Sequence, residues 1–162
     1  MSTGRCYTIG HSNHPIEKFL ALLTRHGITC VGDVRSIPSS RFCPQFNGKN
    51  LDASLRAAGI AYLFLGQELG AKRREPHLLN EKGEPDYGKI RQTEEFHNGI
   101  ARVMELLAAD QTVVLLCAEK DPMNCHRCLM VTPALVEAGI EVAHILNDGT
   151  LIAHSELTSG LF

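Results

Sequence analysis

Apolar and polar positions along this chain follow two periods, and the places where one period gives way to the other mark its elements. Three times an amphipathic stretch ends in Gly-Ile and passes into an apolar run, at Gly27-Ile28, Gly59-Ile60 and Gly139-Ile140. That order predicts helix, stop, strand: glycine closes a helix in the left-handed conformation without steric cost, and the next apolar residue carries the chain into a sheet. The first helix is expected to begin near Pro15 and to place Ile16, Phe19, Leu20 and Leu23 on one stripe. A second is expected from Asn50 to Ala58, and a longer one after Thr93, its N-cap, with Phe96, Ile100, Val103 and Leu107 aligned. The last follows Asp121-Pro122. Within it Pro133 demands a kink or a late start, because an interior proline removes one backbone hydrogen bond and crowds the preceding turn.

Between these helices lie β-like runs at Cys6 to Gly10, Thr29 to Val34, Ala61 to Leu65, Thr112 to Cys117 and Glu141 to Ile145. Each crossover is longer than the roughly dozen residues that a parallel connection requires. The expected fold is therefore α/β: a single three-layer domain over residues 1–162, with a mainly parallel five-stranded sheet and helices on both faces. The long connection from Gly66 to Gln92 carries Lys72-Arg73-Arg74 and reads as a binding lid or as a solvated surface loop. There is no solenoid-type repeat, low-complexity tract or interdomain linker.

Composition narrows the partners. With 44% hydrophobic and 21% charged residues and a formal net charge of -2, the chain has the balance of a soluble globular protein. It has no global basic field to draw it onto nucleic acid. No run approaches the ~18 apolar residues of a membrane span, and MSTGRCYTIG lacks a secretory pattern, so no membrane partner and a cytoplasmic location are expected. The six cysteines do not form the spacing of a secreted disulfide framework. Cys6, Cys30 and Cys43 are read as small hydrophobic residues.

The densest chemistry lies in VVLLCAEKDPMNCHRC, from Val113 to Cys128. In a parallel sheet the residues just after each strand gather along one edge, where ligands bind. That edge is expected to collect His11 and Ser12, Asp33 with Arg35 and Arg41, and Cys117, Glu119 and Arg127. Arg35, Arg41, Arg127 and Ser12 are the expected anion contacts. Cys117 is the candidate nucleophile or ligand, Glu119 and His11 the acid/base candidates, and Asp33 an orienting group or metal ligand. The alternative for Asp33 is a plain ion pair with Arg35 or Arg127, and for Glu119 a helix cap. Cysteine phosphatases and sulfurtransferases separate Cys and Arg by a much tighter loop than the one between Cys117 and Arg127, so the likeness to them is one of layout only.

A second reading places a transition metal on Cys125, His126 and Cys128, with Cys117 and with His11 or His14 as further ligands. Adjacent Cys125 and His126 point about 100° apart on a helix, which favours Cys125 with Cys128. His77, His97 and His154 are expected at the surface, and His144 as a satisfied histidine beside a strand.

Taken together and in order, YTIGHSNH, GDVRSIPSSRFCPQFN, LGQELGAKRREP, LLCAEKDPMNCHR and VAHILNDG resemble the domain-of-unknown-function family 488, over essentially the whole chain. The resemblance implies a compact α/β domain and brings no activity or substrate with it. By matching motif it marks His11 and Ser12, Asp33 and Arg35, Pro44 and Phe46, Cys117 and Glu119, and Cys125, His126 and Arg127. His14 departs from the family pattern, and Cys128 and Pro133 interrupt a segment that is otherwise plain helix. The function expected is a hydrolase or transferase acting on a phosphorylated or nucleotide-like substrate. The alternatives are a Cys/His protein whose cofactor is a divalent or transition metal, and a non-catalytic module for a nucleotide, nucleic acid or protein. Nucleic acid is the weakest of these partners, with three Tyr and no Trp for stacking and no basic helix.

Overall fold

A computed structural model describes residues 4–159. The core is a six-stranded sheet in the order β3-β2-β4-β1-β5-β6, built from β1 (Cys6–Gly10), β2 (Cys30–Asp33), β3 (Ala61–Phe64), β4 (Val113–Cys117), β5 (Val142–Ile145) and β6 (Leu151–Ala153). All pairings are parallel except that of β5 with β6. The first five strands fall where the apolar runs predict them. The sixth corrects the five-stranded expectation: its three residues are too few to show a period, and β6 pairs only through the turn at Asn147-Asp148-Gly149, whose Asp148 carboxylate accepts from the Thr150 N–H and hydroxyl.

Alternation along the buried strands builds one apolar layer on each face of the sheet. Val113, Leu115 and Cys117 of β4 face one layer, while Val114 and Leu116 face the other. The second layer is closed by α1 (Ile16–Arg25) through Phe19, Leu22 and Leu23, and by α2 (Gly48–Ala57) through Leu51 and Leu55. The first is closed by α3 (Gly66–Leu69), α4 (Tyr87–Ile90) and α5 (Glu94–Ala108), together with α6 (Thr132–Glu137). A short final helix, α7 (His154–Ser159), follows β6. Among the described residues no helix is long and apolar enough to cross a membrane.

The helix stops are as expected. Gly27, Gly59 and Gly139 have φ of 68°, 77° and 88°, a region in which a Cβ is strained. Pro133 sits in the first turn of α6, and the chain before it, Arg127–Val131, widens into a π-helical turn in which the Thr132 hydroxyl donates to the Arg127 carbonyl. The late start is thus realised with an extra residue in the turn, and both Arg127 and Cys128 are buried there. The segment from Gly66 to Gln92 is no free loop. Leu69, Leu78 and Ile90 are buried in the core, Leu79 bridges Pro85, and Arg73 donates to the Gly70 and Glu68 carbonyls.

Thr93 caps α5 by accepting from the Phe96 N–H at 3.1 Å. Thr93→Ala is predicted to cost about 1 kcal/mol in urea unfolding and Thr93→Ser almost nothing, since serine keeps the accepting oxygen.

Candidate functional site

Strand order determines where a cleft opens. After β1 the chain turns toward β2 with α1 on one face, and after β4 it turns toward β5 with α6 on the other, so the connections of these two adjacent strands diverge at their carboxyl ends. Such a switch point leaves a crevice. It is present as two adjoining cavities of about 470 Å³ and 280 Å³, which share Arg35, Ile37, Ala118 and Glu119. The larger is lined also by His11, Ser12, Asn13, Ser39, Ser40 and Lys120, and the smaller by Lys72, Cys117, Cys125 and His126. Gly10 lets the two loops meet, because a Cβ there would stand 1.6 Å from the Glu119 carbonyl oxygen.

Arg35 is the best-anchored cation on the cleft wall. Its Nε and Nη2 donate to the two oxygens of Asp33 at 2.8 and 2.7 Å, and Tyr62 donates its hydroxyl to Asp33 Oδ2 at 2.6 Å. Asp33 is fully buried and its backbone continuation also uses it, through the Arg35 N–H at 3.2 Å. Both carboxylate oxygens are therefore engaged in aiming the guanidinium. Burial, and then the bond to Asp33, push the Tyr62 hydroxyl well above its ordinary pKa, so it stays a donor.

His11 lies beside Arg35, with Nη1 of Arg35 3.4 Å from His11 Nε2. His11 Nδ1 is 2.7 Å from the Ser12 carbonyl, an acceptor only, so Nδ1 carries the proton and Nε2 the lone pair. The ring stacks on the buried Phe46 at 4.4 Å. Burial lowers the pKa of His11 to about 4, and the Ser12 bond only partly offsets this. His11 is thus a neutral acceptor near pH 7.

Cys117 ends β4 on the cleft floor. It is joined to Cys125 as a disulfide, a pairing that the spacing of the cysteines did not suggest. Arg127 was expected to clamp a ligand, but its donors are already committed. Nε donates to Thr8 Oγ1 at 3.1 Å, Nη1 to Cys117 Sγ and to the Glu119 carbonyl at 2.7 Å each, and Nη2 reaches the Lys120 carbonyl at 3.5 Å. It is fully buried and lines neither cavity, and burial lowers its pKa to about 10. Arg41 is exposed against Phe42 and also lines neither cavity. Ser12 and the exposed carboxylate of Glu119 do line the cleft, and the neighbouring cap is made by Asp121, which accepts from the Met123 N–H.

The expected metal trio is divided by the chain's own geometry. Cys125 is bonded to Cys117, and His126 donates Nε2–H to the Val34 carbonyl at 2.9 Å. Cys128 turns inward, where its Sγ is 3.8 Å from His154 Nδ1. His154 in turn lies 2.9 Å from His144 Nε2, so it is not the plain surface residue expected. An Asp-Gly hairpin signal in HILNDGTLIAH, which carries both histidines to one end of the β5–β6 pair, was available to find this cluster. Tyr62 and Lys120 were also not foreseen, whereas Asn13, Ser39 and Ser40 belong to the segments after β1 and β2 that a parallel sheet brings to this edge.

The family model described as domain of unknown function DUF488 matches residues 15–132. The chain belongs to the DUF488 family. The DUF488 match takes in Asp33, Arg35, Cys117, Glu119 and the Cys125-His126-Arg127 run, while His11, Ser12, His144 and His154 lie outside its limits. No curated protein is similar enough to the chain to add a relative.

His11 has a consequence for acid stability. An unfolded histidine takes up its proton near 6.5 and the folded one only near 4. Between these values the unfolded chain binds more protons, so stability falls as pH is lowered through that window, by roughly 3 kcal/mol once both values are passed. His11→Gln is expected to flatten this part of a stability-against-pH curve. An unchanged curve would show that His11 is already charged in the fold.

Proposed function

We propose that the cleft binds a small anionic molecule, phosphorylated or nucleotide-like, and that the protein is a hydrolase or transferase acting on it. The observation that carries this reading is Arg35, 7% exposed, held in a fixed direction by Asp33 and Tyr62 on the wall shared by both cavities. An arginine prepared in this way presents its remaining donors to an oxyanion without losing much side-chain freedom on binding. Lys120 and Lys72 line the cleft opposite the single exposed carboxylate of Glu119, so its lining is cationic although the chain as a whole is slightly acidic. The two cavities together fall in the range of about 300–1,000 Å³ usual for small-molecule sites.

In this reading Arg35 and the hydroxyls of Ser12, Ser39 and Ser40 bind the phosphoryl oxygens, and Lys120 and Lys72 neutralise the remaining charge. Cys117 is the nucleophile once a dithiol reductant has supplied two electrons and two protons to open its bond with Cys125. The thiolate, beside the Arg127 guanidinium, forms a bond to phosphorus while the leaving oxygen departs with a proton from Glu119. Water, or an acceptor hydroxyl, then gives its proton back to Glu119 and displaces the thiolate. His11 takes no proton near neutrality and offers Nε2 to a hydroxyl of the ligand.

A panel of phosphate monoesters and nucleotides, assayed with and without reductant, tests this. Turnover is expected only in the reduced protein, and Cys117→Ser is expected to lower it by roughly three orders of magnitude. Lys120→Glu, at an exposed position, should weaken thermal stabilisation by the same compounds without unfolding the chain. If no phosphorylated compound is turned over or raises the melting temperature of the reduced protein, the proposal is wrong.

A further inference from the structure

Away from the cleft lining, Cys128, His144 and His154 bring one donor atom each to within 4.8 Å of one another. They come from three separate elements: the π-helical turn, β5 and the start of α7. We propose that these three side chains bind a transition-metal ion, zinc(II), and that the ion ties the β5–β6 hairpin and α7 to the body of the fold.

Donor chemistry and spacing carry the inference. One thiolate and two neutral imidazoles make a set suited to zinc, in which the fourth position is left to water. Around a tetrahedral zinc the donor atoms lie about 3.3 to 3.6 Å apart. Here Cys128 Sγ is 3.8 Å from His154 Nδ1 and His144 Nε2 is 2.9 Å from the same nitrogen, both within about half an ångström of that spacing, and all three donor atoms lie within 4.8 Å of one another. His144 is fully buried, and its far nitrogen, Nδ1, lies 2.6 Å from the hydroxyl oxygen of buried Thr8. When Nδ1–H donates to that oxygen, Nε2 holds the lone pair that faces the ion, which is the outer-contact arrangement of metal-bound histidines. The Thr8 oxygen is kept in place by Arg127 Nε.

Charge is consistent with the set. Burial raises the Cys128 thiol, and the nearby Arg127 cation opposes that rise. Binding of the ion would displace the thiol proton, and the thiolate with two neutral imidazoles around zinc(II) would carry one net positive charge. The Met123 thioether, 4.0 Å from Cys128 Sγ, covers the sulfur side.

Cobalt(II) titrated into reduced, chelator-treated full-length protein tests the site directly. One equivalent is expected to give a near-ultraviolet sulfur-to-cobalt charge-transfer band and visible bands of tetrahedral intensity, both abolished by one equivalent of zinc. Zinc alone should raise the melting temperature. Cys128→Ser should remove the charge-transfer band. His154→Gln, which alters a half-exposed side chain and spares the core, should weaken zinc binding by more than the roughly tenfold typical of even an outer contact. The Cys117→Ser/Cys125→Ser double variant should bind as the parent does. Absence of the bands at stoichiometric cobalt, their survival in Cys128→Ser, or their loss in the double variant overturns the proposal. Because that variant lacks Cys117, the proposed nucleophile, a failed phosphatase assay and a failed metal site are distinguishable.

Discussion

Everything at the carboxyl edge of this sheet is arranged around one buried cation. Arg127 has no measurable exposure, and a guanidinium taken out of water loses several kcal/mol of hydration that must be recovered inside the protein. The recovery comes from a hydroxyl, a sulfur and two loop carbonyls. Those groups lie on β1, on β4 and on the loop after β4, so satisfying Arg127 also sets the course of residues 117–120. That loop forms the wall common to both cavities. The arginine expected from the sequence as a ligand contact is better described as the post that holds the contact surface upright.

Its counterpart, Arg35, is the opposite case. It stands two positions after Asp33, with Val34 between them, and after a strand that spacing lets the side chain turn back onto the carboxylate. The ion pair satisfies Asp33 completely with the help of Tyr62. The sequence contained Asp33 and Arg35 as neighbours and allowed either a plain pair or a functional one. The geometry merges the alternatives: the pair is plain in its charges, and its result is an arginine of fixed direction. Tyr62 was not visible as a partner because it reaches Asp33 across the β2–β3 ladder, and lateral neighbours depend on strand order.

Strand positions, helix stops and the two-faced core were legible because periodicity and Gly-Ile stops are local properties. Val113 to Cys117 shows this well, since its alternate residues divide cleanly between the two apolar layers. The gathering of strand ends at one edge was also legible from the parallel alternation, but which side chains of distant segments touch one another was not. Cys117 and Cys125 face one another, Cys128 turns away from Cys125, and His154 meets His144. Each outcome follows from how the π-helical turn and the β5–β6 hairpin present their side chains. A one-residue widening before Pro133 changes which of several consecutive reactive residues points inward, and no count of spacings contains that information.

β1 has a further implication for how the chain reaches this state. It lies between β4 and β5, so that Cys6 pairs with Val113 on one side and with Val142 on the other. β1 therefore has no native neighbour in the sheet until about a hundred further residues have been synthesised. Contacts of such long sequence separation require loop closure before they return any free energy, and they slow folding. During that interval Tyr7 and Ile9, both destined for the core, stay exposed on a strand with two open edges. The nascent chain is thus vulnerable to misassociation at β1, and the crevice between β1 and β4 exists only once two segments about a hundred residues apart have found each other.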